Sequence, residues 1–172
     1  MINSLVFRSI QSRDVNKVLE IYNFHILNGL SNFEEAPITF ENFSIICNNI
    51  LKCNLPFIVC EKDKTIIGFA YLNTFRSKSG YRFSYENSIY IANDFTGLGI
   101  GNKLLKKLII EASKHDHISN IVAVIGGNES IASIKIHKKN GFKMVGTLKK
   151  IGYKKDKWLD VIYMQKILDE KN

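Results

Sequence analysis

Proline and cysteine are both scarce: 172 residues contain two prolines and three cysteines. So few prolines, beside eleven phenylalanines and seven tyrosines, argue against an intrinsically disordered chain. Cys47, Cys53 and Cys60 are odd in number and form no Cys-x-x-Cys pair, so they read as buried or free thiols of a cytoplasmic protein, not as a disulfide framework. No apolar run is long enough to cross a bilayer; Ile66–Leu72 and Ile121–Ile125 are the longest. The first residues, MINSLVFRSIQSRD, lack the basic and then apolar pattern of a signal peptide. No repeat, low-complexity tract or Gly/Pro/Ser-rich linker divides the chain, so residues 1–172 are expected to form one domain, with enough length to bury a core without staples.

What the chain has in excess is positive charge. Its 24 Lys+Arg outnumber its 16 Asp+Glu, a net charge of +8. That favours an anionic partner and at first admits nucleic acid, a membrane surface or a phosphorylated small molecule.

Hydrophobic patterning gives a β-α-α-β-β-β-α-β-α-β-β order, a mixed α/β (α+β) domain. Leu5–Ile10 reads as the first strand, and Asp14 is placed to cap a helix with Val18, Leu19, Ile21, Tyr22 and Ile26 at helical spacing. Asn28-Gly29 ends that helix, residues 30–37 form a loop, and Thr39 starts a second helix to about Leu51. Phe57–Glu61 and Thr65–Asn73 form a hairpin across Lys62-Asp63-Lys64. Arg76–Arg82 is a basic loop before a strand at Glu86–Ile91. Gly97–Gly101 opens an amphipathic helix with Ile100, Leu104, Leu105, Leu108, Ile109 and Ala112 on one stripe. Ile121–Ile125 is a central strand, stopped by Gly126-Gly127. A short helix over Ser130–Lys139 ends at Asn140-Gly141, and strands near Lys143–Leu148 and Trp158–Ile167 close the chain.

Gly97-Leu98-Gly99-Ile100-Gly101 joins a strand to a helix start, where free backbone N–H groups and the helix dipole suit a phosphate. It is not a Walker A loop, because Asn102 and Leu104 flank Lys103 and no Gly-Lys-Ser/Thr is present. It fits the GxGxxG of a dinucleotide fold poorly, since its third glycine comes one residue early and the loop is far from the first strand.

A GxGxG loop in mid-chain, followed by an amphipathic helix, a buried strand and Asn-x-Ser, resembles the acetyl-CoA-binding core of GNAT acyltransferases. Their Gln/Arg-x-x-Gly-x-Gly/Ala signature matches at Gly99 and Gly101, with Thr96 standing where Gln or Arg is usual. Two further stretches resemble the phosphinothricin N-acetyltransferase branch: Phe75-Arg76-Ser77-Lys78-Ser79-Gly80-Tyr81-Arg82 leading into Glu86-Asn87-Ser88-Ile89-Tyr90-Ile91, and Gly152-Tyr153-Lys154 with Trp158-Leu159-Asp160-Val161. The resemblance runs from about Phe7 to Leu168. It departs at Lys78, Ser84 and Tyr85, where that branch carries Arg, Thr and Val.

The resemblance implies a mixed, twisted sheet of about seven strands with about four helices, splayed between the strands at Glu86–Ile91 and Ile121–Ile125. It implies acetyl-CoA as cosubstrate, a small-molecule amine as acceptor, direct attack in a ternary complex, a homodimer and no metal. Residues 97–102 (Gly97, Leu98, Gly99, Ile100, Gly101, Asn102) would hold the pyrophosphate, and the backbone at Ile89, Tyr90 and Ile91 the pantetheine arm.

Acetyl transfer to an amine needs a base for the ammonium proton and a proton for the leaving thiolate. The resemblance makes Glu86 the base candidate, the alternatives being an exposed strand-end glutamate or a partner for Arg76 or Arg82; strand alternation puts it with Ser88 and Tyr90 on one face, opposite Asn87, Ile89 and Ile91. His137 is either a proton donor or relay, or a packed helix-end histidine. Asn128 and Ser133 either contact the cosubstrate or cap their helix. Phe33, Arg76, Tyr81 and Arg82, with Glu35 and Lys78, are the acceptor candidates, the cations suiting an acidic amino acid or an analogue such as phosphinothricin or methionine sulfoximine. His115-Asp116-His117 lacks the partners of a zinc site and reads as a solvated turn. Lys149–Lys157 accompanies no nucleic-acid motif and reads as the final hairpin, so neither nucleic acid nor membrane is expected as a partner. An acceptor on a protein N-terminus is the alternative acyl-transfer reading.

Overall fold

The computed structural model describes residues 5–127 and 131–168. The strands are β1 (Val6–Ser9), β2 (Phe57–Lys62), β3 (Thr65–Thr74), β4 (Ser84–Ile91), β5 (Asn120–Gly126), β6 (Lys143–Lys154) and β7 (Lys157–Ile167). The helices are α1 (Val15–Asn28), α2 (Phe40–Lys52), α3 (Ile100–Ala112) and α4 (Ile131–Lys139). All seven strands join one mixed sheet in the order β1-β2-β3-β4-β5-β7-β6. The expected fold, strand number and helix number are therefore observed.

The neighbours β4 and β5 are parallel and pair over only three positions, from Ser84↔Asn120 to Glu86↔Val122. Beyond Glu86, β4 stays paired to β3 as far as Ile91, and β5 stays paired to β7 as far as Gly126. The two strands thus part from one another while each keeps its outer neighbour. This opens the sheet at its centre without leaving either strand unsupported.

Alternation along β4 divides the molecule. Tyr90 faces α1, where its ring meets Tyr22 edge-on at 5.2 Å, and Tyr22 in turn packs on Phe43 of α2. Asn87 and Ile91 point the other way, toward α4 and α3. Leu104, Leu105 and Leu108 of α3 and Phe43, Phe57 and Phe69 on the sheet and α2 are fully buried. Full burial of each such side chain contributes about 1.5–3 kcal/mol.

Thr39 caps α2 as its sequence position implies, accepting the Asn42 N–H at 3.3 Å. Asn140-Gly141 ends α4 with Gly141 at φ +84°, and the amides of Gly141 and Phe142 bond back to Lys138 and His137.

Three local expectations change. Asp14 does not cap α1 with its side chain. Its buried carboxylate turns back to Arg8, in a two-pronged bond at 2.6 and 2.9 Å, and accepts the Gln11 N–H. A guanidinium that also holds Glu61 at 2.6 Å outcompetes neutral helix amides for that carboxylate, and Arg8 keeps its pKa below the usual range. The strand expected from Glu86 begins at Ser84. The strand expected to end near Leu148 continues to Lys154, across a shift in register between Leu148 and Gly152. Asp160 stabilises that irregularity by accepting the Lys150 N–H at 3.0 Å and the Lys149 ammonium at 2.8 Å.

Candidate active site

The parting of β4 and β5 creates two adjoining cavities. One, of about 130 Å³, runs between the strands and is bordered by Asn87, Ile89, Ala123, Ile125, Ser133 and His137. The other, of about 360 Å³, opens toward α1 and the loop after it, and is bordered by Tyr22, Asn32, Phe33, Glu34, Tyr71, Asn73 and Thr74. Ser31, Glu86, Ser88, Tyr90 and Val124 line both. The two spaces therefore meet on the Glu86 face of β4, at the point where the strands diverge.

Glu86 has the electrostatics of a base. Burial raises its pKa above the ordinary carboxylate range, and the positive charge of Arg76 pulls it partly back. Around it stand three phenols, Tyr22, Tyr71 and Tyr90, all pushed upward by burial and so neutral at physiological pH. The formal charges in the lining of the larger cavity are Glu34 and Glu86, which suits a cationic ammonium.

On the opposite face, Asn87 and His137 form a buried pair. His137 donates from Nδ1 to the Ser133 carbonyl at 2.7 Å, because a carbonyl can only accept. Its Nε2 therefore carries the lone pair and accepts from Asn87 Nδ2 at 3.0 Å. Burial lowers the His137 pKa, the Ser133 bond opposing this, so the ring is held neutral. Ser133 Oγ stands 3.4 Å from the same Nδ1. The Asn87 Oδ1 atom is buried with no hydrogen-bond partner among the described residues.

The glycine loop has the backbone that its sequence implies. Gly97 and Gly99 lie at φ +77° and +75°, and nothing stands within 4 Å of where a side chain would begin on either. The open side lets a ligand approach the backbone directly. Gly99 precedes α3 without any side-chain cap, so the first-turn amides are left for an anion. Within this stretch Ile100 is buried and Leu98 is exposed at the tip. A Cβ at Gly101 would stand 3.6 Å from Ile136, and the Asn102 side chain accepts a bond from Asn140 at 2.9 Å, tying α3 to the end of α4. Ile89 and Tyr90 border the gap, and the Ile91 carbonyl is bonded to His25 Nε2 at 2.8 Å. Asn128 lies outside the described residues.

Of the acceptor candidates, only Phe33 lines the larger cavity. Arg76, Tyr81 and Arg82 are exposed on the loop beyond it. Arg76 lies over the Phe75 ring at 5.2 Å, Tyr81 meets the same ring edge-on, and Arg82 lies over Phe83 at 4.5 Å. The structure brings Glu86, Tyr90 and Phe33 to one space and Ser133 and His137 to the adjoining one. It leaves the three loop residues exposed and outside the lining of both cavities. Sequence reasoning missed Tyr22, Ser31, Asn32, Tyr71 and Asn73 as lining residues and Asn87 as the partner of His137. Strand alternation was the available signal for Asn87; the others are placed by tertiary contacts alone.

The His115–His117 turn is more packed than expected. His115 Nδ1 stands 3.3 Å from Asn54 Nδ2, and His117 meets Tyr85 edge-on. No group of three or more His, Cys, Asp or Glu among the described residues is placed to hold a metal ion. No helix among them is long and apolar enough to cross a membrane.

Comparison with known proteins agrees with this geometry. The acetyltransferase (GNAT) domain family matches residues 7–163. The phosphinothricin N-acetyltransferase of Alcaligenes faecalis is 34% identical over 162 residues, covering 94% of this chain and 82% of the relative. Among solved structures, a ribosomal-protein-alanine N-acetyltransferase from Brucella melitensis superposes with TM-score 0.90 at 36% identity, over 95% of this chain and 99% of its own. A phosphinothricin acetyltransferase from Sinorhizobium meliloti, in complex with AcCoA, superposes with TM-score 0.92 at 33% identity, over 96% and 89%. A family match spanning nearly the whole chain, on a sheet splayed beside an uncapped glycine loop, makes this protein a member of the GNAT acetyltransferase family.

Proposed function

We propose that the protein transfers the acetyl group of acetyl-CoA to the amino group of a small amino acid or analogue, of the phosphinothricin or methionine sulfoximine type. The observation that carries this reading is the meeting of two cavities at Glu86, Ser88 and Tyr90. One cavity leads along the strand gap toward α4 and suits the cosubstrate's arm; the other holds the acidic, phenol-lined space for the amine. Their shared wall supports direct transfer within a ternary complex. No covalent relay on the protein is needed.

The cosubstrate supplies a thioester carbon open to attack. The residues of this chain do the rest. The amides after Gly97 and Gly99 grip the pyrophosphate. Glu86, with its raised pKa, accepts a proton from the acceptor ammonium, releasing the lone pair that forms the new C–N bond as the C–S bond breaks. The nitrogen loses its second proton to solvent as the C–S bond breaks and the amide forms, the departing thiolate takes up one proton from solvent, and the proton on Glu86 also passes to solvent, so one proton is released overall. His137 has both ring nitrogens engaged, which supports a positioning role through Asn87 over proton donation. Arg76, whose charge acts on Glu86, and the exposed Lys78 and Arg82 on the same loop add a positive field that favours acidic acceptors.

A protein N-terminus is the second reading, and the likeness to the Brucella enzyme favours keeping it. The neutral phenols and the modest cavity favour the small acceptor. Thiol release from acetyl-CoA across a panel of phosphinothricin, methionine sulfoximine, ordinary amino acids and alanine-terminated peptides decides between them. Amine-dependent release with the small acceptors supports this reading; release with peptides alone overturns it.

The same reading includes a homodimer, one domain and a cytoplasmic setting. β6 is an edge strand that exposes Met144, Val145, Leu148 and Ile151, an apolar row that a second copy would cover. All three cysteines are unpaired, and burial pushes the Cys47 and Cys60 thiols up to about 11, as suits inert thiols in a reducing compartment.

A further inference from the structure

Lys154 is one of the most buried polar residues, with 2% of its surface exposed. An ammonium in such a place must be compensated by acceptors. It donates to the Ile26 carbonyl at 2.7 Å and to the Asn32 carbonyl at 2.5 Å, across 128 and 122 residues of chain. Ile26 lies in the last turn of α1, where carbonyls lack helical partners and a cation is favoured by the helix dipole. Asn32 sits in the loop that walls the larger cavity. Its side chain donates to Tyr90 OH at 3.2 Å and accepts the Glu34 N–H at 2.9 Å.

Two residues earlier on the same strand, Gly152 meets the ring of Phe33. A Cβ at Gly152 would overlap that ring, and one at Gly126 would stand 2.7 Å from it. The ring is therefore seated between β5 and β6 against two bare glycine backbones. Ser31 Oγ adds a bond to the Gly126 carbonyl at 3.1 Å. Three successive loop residues, Ser31, Asn32 and Phe33, are thus held from β5 and β6, and the last two specifically by Gly152 and Lys154.

We infer that Gly152 and Lys154 form a latch on the C-terminal hairpin that positions the acceptor-binding loop, making them positioning residues for recognition of the amine. This rests on the proposed reading of the larger cavity as the acceptor site. The latch acts on the acceptor side: among the described residues, both acceptors of Lys154 belong to α1 and the loop after it. Recognition of the amine thus depends on a segment more than a hundred residues away in sequence.

The test uses the full chain with four variants: Lys154→Met, Gly152→Ala, Phe33→Ala and the double Phe33→Ala/Gly152→Ala. Methionine keeps the buried stem and removes the donors, and the α3 and β5 amides report whether the rest of the fold is kept. The first readout is amide hydrogen exchange, which does not depend on activity. Lys154→Met is expected to speed exchange about tenfold or more in segment 30–35, with the α3 and β5 amides at wild-type protection. The second readout is steady-state kinetics with phosphinothricin and methionine sulfoximine as amines. KM for the amine is expected to rise about tenfold in Lys154→Met and in Gly152→Ala, with KM for acetyl-CoA within about twofold of wild type. Gly152→Ala is expected to change nothing further when Phe33 is already alanine. Unchanged exchange in segment 30–35, or equal effects on both KM values, would overturn the latch. If wild type acetylates neither amine, the substrate reading fails, and the exchange result still decides whether the latch exists.

Discussion

Asn87 donates to His137 Nε2 at 3.0 Å, while His137 Nδ1 donates to Ser133 at 2.7 Å, so a single hydrogen-bond chain fixes one neutral tautomer of the ring. With both nitrogens occupied, the ring cannot hand a proton to a ligand unless Asn87 first moves. The pair sits across β4 from Glu86, which makes the division of labour on the strand explicit: proton removal on one face, alignment on the other.

Asn87→Asp tests that assignment. A carboxylate cannot donate to Nε2, so the ring is expected to take up a proton and form an ion pair. The pKa of His137 should move from below 6.5 in the wild type to above it in the variant, as followed by the imidazole signals in NMR. The sign for stability follows. In the wild type the unfolded state binds the proton more readily, so stability is present above pH 6.5 and declines as pH falls below it. In Asn87→Asp the dependence reverses, with stability lost as pH rises through the raised pKa. An imidazole that titrates identically in both proteins would refute the pairing.

Gly99→Val tests the phosphate loop. The residue holds φ +75°, which a β-branched side chain resists by about 1–2 kcal/mol, and its side chain would fill the open approach to the amides. KM for acetyl-CoA is expected to rise about tenfold or more with little change in KM for the amine, the reverse of the latch variants. Equal changes in both would assign the loop a structural role only.

Much of the frame was legible in the chain. Strand alternation alone separates Glu86, Ser88 and Tyr90 from Asn87, Ile89 and Ile91, because a strand has no other way to arrange its side chains. The glycine loop at 97–101 marks in the sequence a helix start whose amides are free for an anion. What stayed hidden depended on distant partners. Asp14 has the chemistry of a helix cap, yet Arg8 and Glu61 claim it from other elements. Lys154 looked like one of several hairpin lysines; its burial against Ile26 and Asn32 follows from the packing of β6 over the acceptor loop, which no local pattern records. Charge and closeness to Glu86 in sequence point to Arg76, Tyr81 and Arg82, yet closeness in sequence does not bring them into the cavity wall.

The edge strand yields a prediction about assembly. Val145 and Leu148 are exposed on β6, and replacing both with Glu places charge on the face that a second copy would cover. Sedimentation of the wild type should give a dimer, and the double variant a monomer with an unchanged far-ultraviolet dichroism spectrum. A wild-type monomer at micromolar concentration would exclude this surface as a stable interface.

The account depends most on Glu86, whose burial raises its pKa at the junction of the two cavities. Because the folded-state pKa is raised, the ionised carboxylate works against stability above its unfolded value, and Glu86→Gln should be slightly more stable than wild type at neutral pH. The direct measurement is the pH dependence of amine-dependent thiol release in wild type and Glu86→Gln. In the wild type kcat/KM for the amine should rise with pH through an ionisation above the ordinary carboxylate value of 4.5. In Glu86→Gln that limb should vanish and kcat should fall by about 10²–10⁴-fold, with KM for acetyl-CoA little changed. Full activity in Glu86→Gln with an unaltered pH profile would contradict the assignment of this carboxylate as the base.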